Sequence, residues 1–150
     1  MRSIRLRYKI LFLVLFTLTC LFIYIKFAYT FEFNNGEFFV GPEESPNGKY
    51  TANSYYKTYG GAAGGVNVWV EVTEGKGNKV RTIYYAPGKS NFSINWVDEE
   101  TLNITNEAPG FPNESRSIEL TIGKEIYDES GAACASWVMI DDYETCYERD

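Results

Sequence analysis

The sequence of 150 residues contains no histidine and only three cysteines. Without histidine, Ser-His-Asp and Cys-His catalytic arrangements and histidine-ligated metal sites are excluded. The Cys-x-x-Cys spacing typical of redox pairs is also missing. The sequence therefore identifies no catalytic residue and no metal ligand, and we predict no cofactor.

Acidic residues are absent from the first 31 positions, whereas five of the 14 basic residues lie among the first 30. Residues 31–150 consequently contain nine basic and 20 acidic residues, a net charge of −11. A region this acidic repels the phosphates of DNA and RNA. We therefore predict no nucleic acid partner.

Charge is also absent between Lys9 and Lys26, where Ile10–Ile25 is almost entirely apolar. As a helix at ~1.5 Å per residue, this segment spans roughly 24 Å, slightly less than the ~30 Å hydrocarbon core of a bilayer. Lys26 can extend the span by placing its ammonium group at the interface. We predict a transmembrane anchor that contacts lipid through residues 10–31, with an outer aromatic cluster of Tyr24, Phe27, Tyr29 and Phe31.

The distribution of basic residues predicts the orientation of this anchor. Four of them precede the segment, and none lies between Lys26 and Lys49. The positive-inside bias then places the amino terminus in the cytoplasm and residues from about 32 onward outside. Two alternatives stay open. One is a cleaved signal peptide, for which residues 28–30 are a poor cleavage site; the other is lipidation at Cys20, whose preceding residues fit a lipoprotein signal poorly.

The rest of the chain is typical of a β-domain. The valines at positions 66, 68, 70 and 72 alternate with other residues and indicate the clearest strand. Further strands are predicted at 49–59, 80–85 and 118–122, and a hairpin over 91–106, separated by turns that include residues 45–49, 75–78 and 98–100. We predict a mainly β fold, in which five or six strands form a small antiparallel meander, sandwich or barrel-like sheet.

These patterns divide the chain into three parts. Residues 1–31 are the basic start and anchor, residues 32–44 a tether with a short strand signal at 38–40, and residues 45–150 the extracytoplasmic domain. The glycine-rich segment 60–65 is predicted to be a loop, because neither Lys-Ser/Thr nor a helix follows it, as a phosphate-binding loop requires. The segment 132–143 is ambiguous, with a helix as one interpretation.

Two resemblances are visible in the motifs. The motif Ser45-Pro46-Asn47-Gly48-Lys49 resembles the turn that opens blades of β-propellers. The hairpin around Trp96 and Leu102 resembles a hairpin of the same kind of blade. The turn motif occurs once, so the resemblance implies a single blade-like meander and excludes a closed propeller. The chain resembles another group of proteins more closely: a family of small membrane-anchored proteins of Gram-positive bacteria, a domain of unknown function. The features that carry this resemblance are the two motifs above, the basic start, the apolar span, Gly60-Gly61-Ala62 and Glu125–Asp128. That resemblance implies an extracytoplasmic β-domain and no activity.

Cys134 and Cys146 are the two cysteines outside the anchor. Outside the cell a disulfide can form and persist. On a continuous helix the two residues would lie about 18 Å apart, so a bridge requires a turn between them. We predict a disulfide that pins the carboxy-terminal segment to the sheet and buries the apolar run Trp137–Ile140. Free thiols and a redox pair are the alternatives.

Two acidic clusters are the other candidate sites: Asp98, Glu99 and Glu100, and Asp141, Asp142 and Glu144. Solvated turn charges are the ordinary interpretation, and paired glycosidase carboxylates the alternative. Five aromatic residues are predicted to be mainly core, with stacking on glycan or on a partner as the alternative: Tyr55, Tyr56, Trp69, Tyr84 and Tyr85. We expect a non-enzymatic envelope module that binds or scaffolds another envelope protein or cell-wall glycan. A small envelope hydrolase is the alternative.

Overall fold

The computed structural model describes residues 2–75 and 79–149, with side chains from Arg7 onward. Within these residues, one α-helix precedes nine strands. The helix is α1 (Arg2–Phe27), and the strands are β1 (Glu37–Glu44), β2 (Tyr50–Tyr59), β3 (Gly65–Glu74), β4 (Lys79–Pro87), β5 (Asn91–Trp96), β6 (Thr101–Glu107), β7 (Ile118–Thr121), β8 (Glu125–Asp128) and β9 (Thr145–Tyr147). Of the predicted turn 75–78, positions 76–78 lie outside the described residues.

The strands form two sheets. The large sheet has the order β1-β2-β3-β4-β8-β9, and the small sheet has the order β5-β6-β7. The β4–β8 and β8–β9 pairs are parallel, and the other pairs are antiparallel. The mainly β fold with an amino-terminal apolar helix is therefore confirmed, with a mixed large sheet and no closed barrel among the described residues.

The main hydrophobic core lies between the two sheets. Alternation places Val68, Val70 and Val72 of β3 on the inner face of the large sheet, where all three are buried. Leu102 and Ile104 of β6 face them from the small sheet and are fully buried. The alternation that predicted these strands thus reflects burial of one face against the opposing sheet.

Residues 37–44 are part of the large sheet, whereas the sequence predicts a tether over 32–44 with only a short strand signal at 38–40. They form β1, which pairs with β2 from Glu37 opposite Tyr56 to Glu44 opposite Thr51. The register of the pair shifts twice, on either side of Val40. Pro42 is tolerated because β1 is an edge strand, where one side of the backbone needs no ladder hydrogen bonds. These irregularities hide the period-two pattern that a regular strand shows.

Residues 132–143 form successive turns and not the helix considered from the sequence. The fully buried carboxylate of Asp128 directs the first turn, because it accepts hydrogen bonds from the backbone N–H groups of Ser130 (3.0 Å) and Ala133 (2.7 Å). Side-chain capping of this kind competes with helical hydrogen bonding. The chain then returns as β9 beside β8.

Candidate functional site

The segment that follows α1, residues 28–36, covers the outer face of the large sheet. Phe31 is 1% exposed and packs with Ile126 of β8 and with Ala133 in a second, smaller core. Gly36 passes so close to Trp69 that a Cβ atom there would overlap the indole ring. Phe31, expected in an aromatic cluster at the lipid interface, is therefore buried by protein.

A row of aromatic rings crosses this outer face, and we call it the aromatic row: Phe38, Tyr55, Trp69, Phe33 and Tyr85. Neighbouring ring centroids along it are separated by 6.1, 5.9, 5.4 and 4.5 Å. Trp69 is buried in the middle of the row, whereas Phe38 at its end is 54% exposed. The middle of the row is therefore packed inside the domain, whereas its Phe38 end is an exposed aromatic surface. Such a surface can stack on flat apolar groups.

The five aromatics singled out from the sequence divide between the two faces of the large sheet. Tyr84 is fully buried on the inner face, and burial raises the pKa of its hydroxyl. Trp69 is buried on the outer face, and Tyr55, Tyr56 and Tyr85 are half-buried. The interpretation of these residues as mainly core agrees with these positions.

A polar depression adjoins the aromatic row. It has a volume of about 310 Å³ and is lined by Glu32, Phe33, Asn34, Glu71, Val80 and Thr82. The indole N–H of Trp69 donates a 2.9 Å hydrogen bond to Glu71. Burial raises the pKa of Glu71, and this hydrogen bond opposes the shift. Aromatic rings beside carboxylate and amide groups provide both stacking and hydrogen-bonding partners for a polar ligand.

The carboxy-terminal segment joins the domain to the end of α1. The backbone N–H of Trp137 donates to the carbonyl of Phe27 (2.9 Å), and the Ser136 hydroxyl donates to the carbonyl of Tyr29 (2.6 Å). The rings of Phe27 and Trp137 stack with centroids 4.9 Å apart. These contacts satisfy the Phe27 carbonyl, which has no partner within the helix, and the Tyr29 carbonyl just beyond the helix end.

Cys134 and Cys146 are bonded to each other in the structure, with their Cα atoms 5.4 Å apart. The turns within residues 135–142 bring them together, as a bridge over this short separation requires. Cys20 is a free, exposed cysteine on α1. The run between the bridged cysteines is not buried as expected, because Trp137, Val138 and Ile140 are all more than half exposed.

The acidic clusters are engaged in local contacts. The Asp98 carboxylate accepts hydrogen bonds from the backbone N–H groups of Glu100 (2.8 Å) and Thr101 (2.7 Å), and these bonds, the one from Glu100 foremost, lower its pKa. Asp142 lies 4.0 Å from the ammonium group of Lys79. Among the described residues, no group of three or more acidic or cysteine side chains is arranged to hold a metal ion. The clusters therefore act as turn and surface charges in this structure.

A nearly buried ion pair escaped sequence reasoning. The Arg116 guanidinium donates to the carboxylate of Glu129, which also accepts a hydrogen bond from Tyr127. Burial by itself raises the pKa of Glu129, but these hydrogen bonds and the charge of Arg116 outweigh it and lower that pKa. The pair links the segment before β7 to the segment after β8. Its two partners are 13 positions apart and belong to no recognisable motif, so the pair could not be predicted from the sequence.

The fold and this surface define a class of protein: a small, mainly β domain attached to an apolar helix. Helix α1 is long and apolar enough over Arg7–Phe27 to cross a membrane, and signal sequences share these properties. The chain belongs to the family of unknown function DUF5412, whose sequence model matches residues 2–130. The bridged cysteines lie beyond the matched residues. No curated protein and no solved structure matches the chain.

Proposed function

We propose that the protein is a single-pass, membrane-anchored binding or scaffolding module of the cell envelope of a Gram-positive bacterium. The supporting observation is that α1 is long and apolar over Arg7–Phe27 and that, among the described residues, only Phe27 at its end is partly covered by the domain. Apolar surface of this extent is stable in a bilayer and not in water. The basic residues before Ile10 support an orientation with the domain outside, by the positive-inside bias.

The binding role rests on the outer face of the large sheet. The aromatic row ends at exposed Phe38, and the depression beside it offers carboxylate and amide groups. Cell-wall glycan or another envelope protein is the proposed partner, because aromatic rings stack on sugars and also anchor protein interfaces. Hydrolysis is less well supported, because the Asp98 carboxylate is engaged by its own turn.

A photoreactive phenylalanine analogue at position 38 tests the binding role. We expect illumination of cells that carry the full-length variant to give a discrete adduct, because this ring is the open end of the aromatic row. The matched control is the analogue at Phe111, which is 63% exposed on a loop outside the row and should give no adduct. Digestion of the adduct with a wall muramidase distinguishes a glycan from a protein partner.

Two outcomes would contradict the proposed role. One is the absence of an adduct from position 38 in a protein that is folded and present in the membrane. The other is wall hydrolysis by the full-length protein that disappears when Asp98, Glu99 and Glu100 are replaced by their amides.

A further inference from the structure

The disulfide-closed segment between Cys134 and Cys146 exposes apolar side chains next to the end of the apolar helix. Trp137, Val138 and Ile140 are 64%, 54% and 64% exposed, respectively. A short loop with three large apolar side chains in water is unfavourable, because each forgoes the free energy of burial. Within the part of the chain that the structure describes, no protein group buries these side chains, and the stacking of Phe27 leaves Trp137 64% exposed.

The position of this apolar tip, defined here as Trp137, Val138 and Ile140, is fixed relative to α1. Trp137 is hydrogen-bonded to the Phe27 carbonyl and stacks on the Phe27 ring, at the last residue of the apolar span. The neighbouring ammonium group of Lys26 lies 5.8 Å from the same ring. A lysine and aromatic rings at the end of an apolar helix are typical of the membrane–water interface. The apolar tip begins at that level.

We propose that the apolar tip inserts into the interfacial region of the bilayer that holds α1, so that the domain sits on the membrane at two points. This inference rests on the proposed anchoring of α1. The proposed partner of the tip is phospholipid, because the tip is continuous with the apolar surface of α1, which lipid surrounds in the proposed anchoring. A tryptophan with two aliphatic neighbours is a combination suited to that interface.

The charges around the tip guide the choice of lipid for its test. Asp141 follows Ile140 directly and is exposed, and Asp142 is offset by Lys79 at 4.0 Å. Residues 31–150 as a whole are strongly acidic. An anionic surface would repel this side of the domain, so a zwitterionic phosphatidylcholine bilayer is the appropriate probe.

Tryptophan quenching in full-length protein reconstituted into phosphatidylcholine vesicles tests the proposal. Lipids brominated near the glycerol end or near the centre of the acyl chains quench only tryptophans that reach them. The chain has three tryptophans, of which Trp69 is buried and Trp96 is half-buried within the domain. We expect quenching by the shallow bromines in the wild type, and we expect Trp137→Phe to remove it.

The double variant Val138→Asp/Ile140→Asp keeps Trp137 and removes the apolar neighbours. We expect it to reduce the quenching about twofold or more, because two charged groups resist entry into the acyl region. Phe111→Asp is the matched control, since it places a charge at an exposed aromatic position elsewhere in the domain and should leave quenching unchanged. The melting temperature and the disulfide, checked by mass, show that each variant is folded.

The failures of the two proposals are distinguishable. If the protein floats with the vesicles but shows no quenching that depends on Trp137, the tip does not enter lipid and this inference is overturned. A dimer cross-linked through the tip in the same vesicles would overturn it as well, because a second copy would then occupy the surface. If the protein does not float with the vesicles, the anchoring by α1 fails too.

Discussion

Phe31→Ala should lower the stability of the protein by about 3–5 kcal/mol, because it removes a fully buried aromatic ring and leaves a cavity. For a domain of this size the melting temperature should fall by roughly 10 °C or more. Tryptophan fluorescence of the full-length protein in detergent micelles measures this transition. The result would establish that the segment after α1 is part of the folded domain and not a free connection.

Phe111→Ala is the control for this experiment. Its ring is 63% exposed, so truncation there should change stability by no more than about 0.5 kcal/mol. Equal melting temperatures for the two variants would show that Phe31 lies in solvent or lipid, and the second core would then be absent in solution.

Replacing Cys134 and Cys146 together by serine has the second large expected effect. The bridge closes a loop of 12 positions, which on the chain-entropy model contributes about 3 kcal/mol. We expect the melting temperature of the full-length protein to fall by roughly 10 °C. Reductant should shift the wild type by a similar amount and leave the double variant unchanged.

Cys20→Ser is the control for the disulfide, because Cys20 is exposed on α1 and belongs to no bridge. It should leave the melting temperature where it is. Mass spectrometry without reduction that finds both carboxy-terminal cysteines as free thiols, in protein taken from the outside of cells, would refute the bridge. The docking of Trp137 at the helix end should also weaken in the double variant, because the turn that carries it is then open.

The strands that were predicted from the sequence are those whose pattern has a local cause. The alternating valines of β3 arise because one face of the strand packs on the small sheet, and the hairpin of β5 and β6 follows from its turn at residues 98–100. The apolar helix is equally visible, since its large apolar side chains before Phe27 are exposed and its pattern does not depend on packing against the domain. In each case the information lies within one continuous stretch of the chain.

The features that were missed depend on contacts between distant positions. Phe31 is buried by Ile126 and Ala133, roughly a hundred positions away, and its proximity to an apolar helix suggested an interfacial role instead. Trp69 lies on the face opposite Val68 and Val70, and it is buried only because the segment after α1 covers that face. The parallel pairing of β8 with β4 and β9 likewise has no local signature.

Some features of the candidate site could be predicted from the sequence and others could not. Tyr55, Trp69 and Tyr85 of the aromatic row could be identified from the sequence, whereas Phe33 and Phe38 could not. The cysteine pair could be proposed from its position outside the anchor. The open end of the row at Phe38 and the depression beside Glu71 depend on how β1 and the preceding segment fold onto the sheet. The exposure of Trp137 was also unpredictable, because an apolar run in a soluble domain is ordinarily buried.

Protease treatment of sealed, right-side-out membrane vesicles that contain the full-length protein with a carboxy-terminal tag tests the account most directly. We predict that protease removes the tag without detergent, while a fragment containing α1 stays in the membrane through alkaline extraction. This result follows from the proposed anchoring and orientation, for which the support is the exposed apolar surface of α1 and the basic residues before Ile10. Protection of the tag in intact vesicles, or a mature protein that lacks α1 and is released without protease, would contradict it.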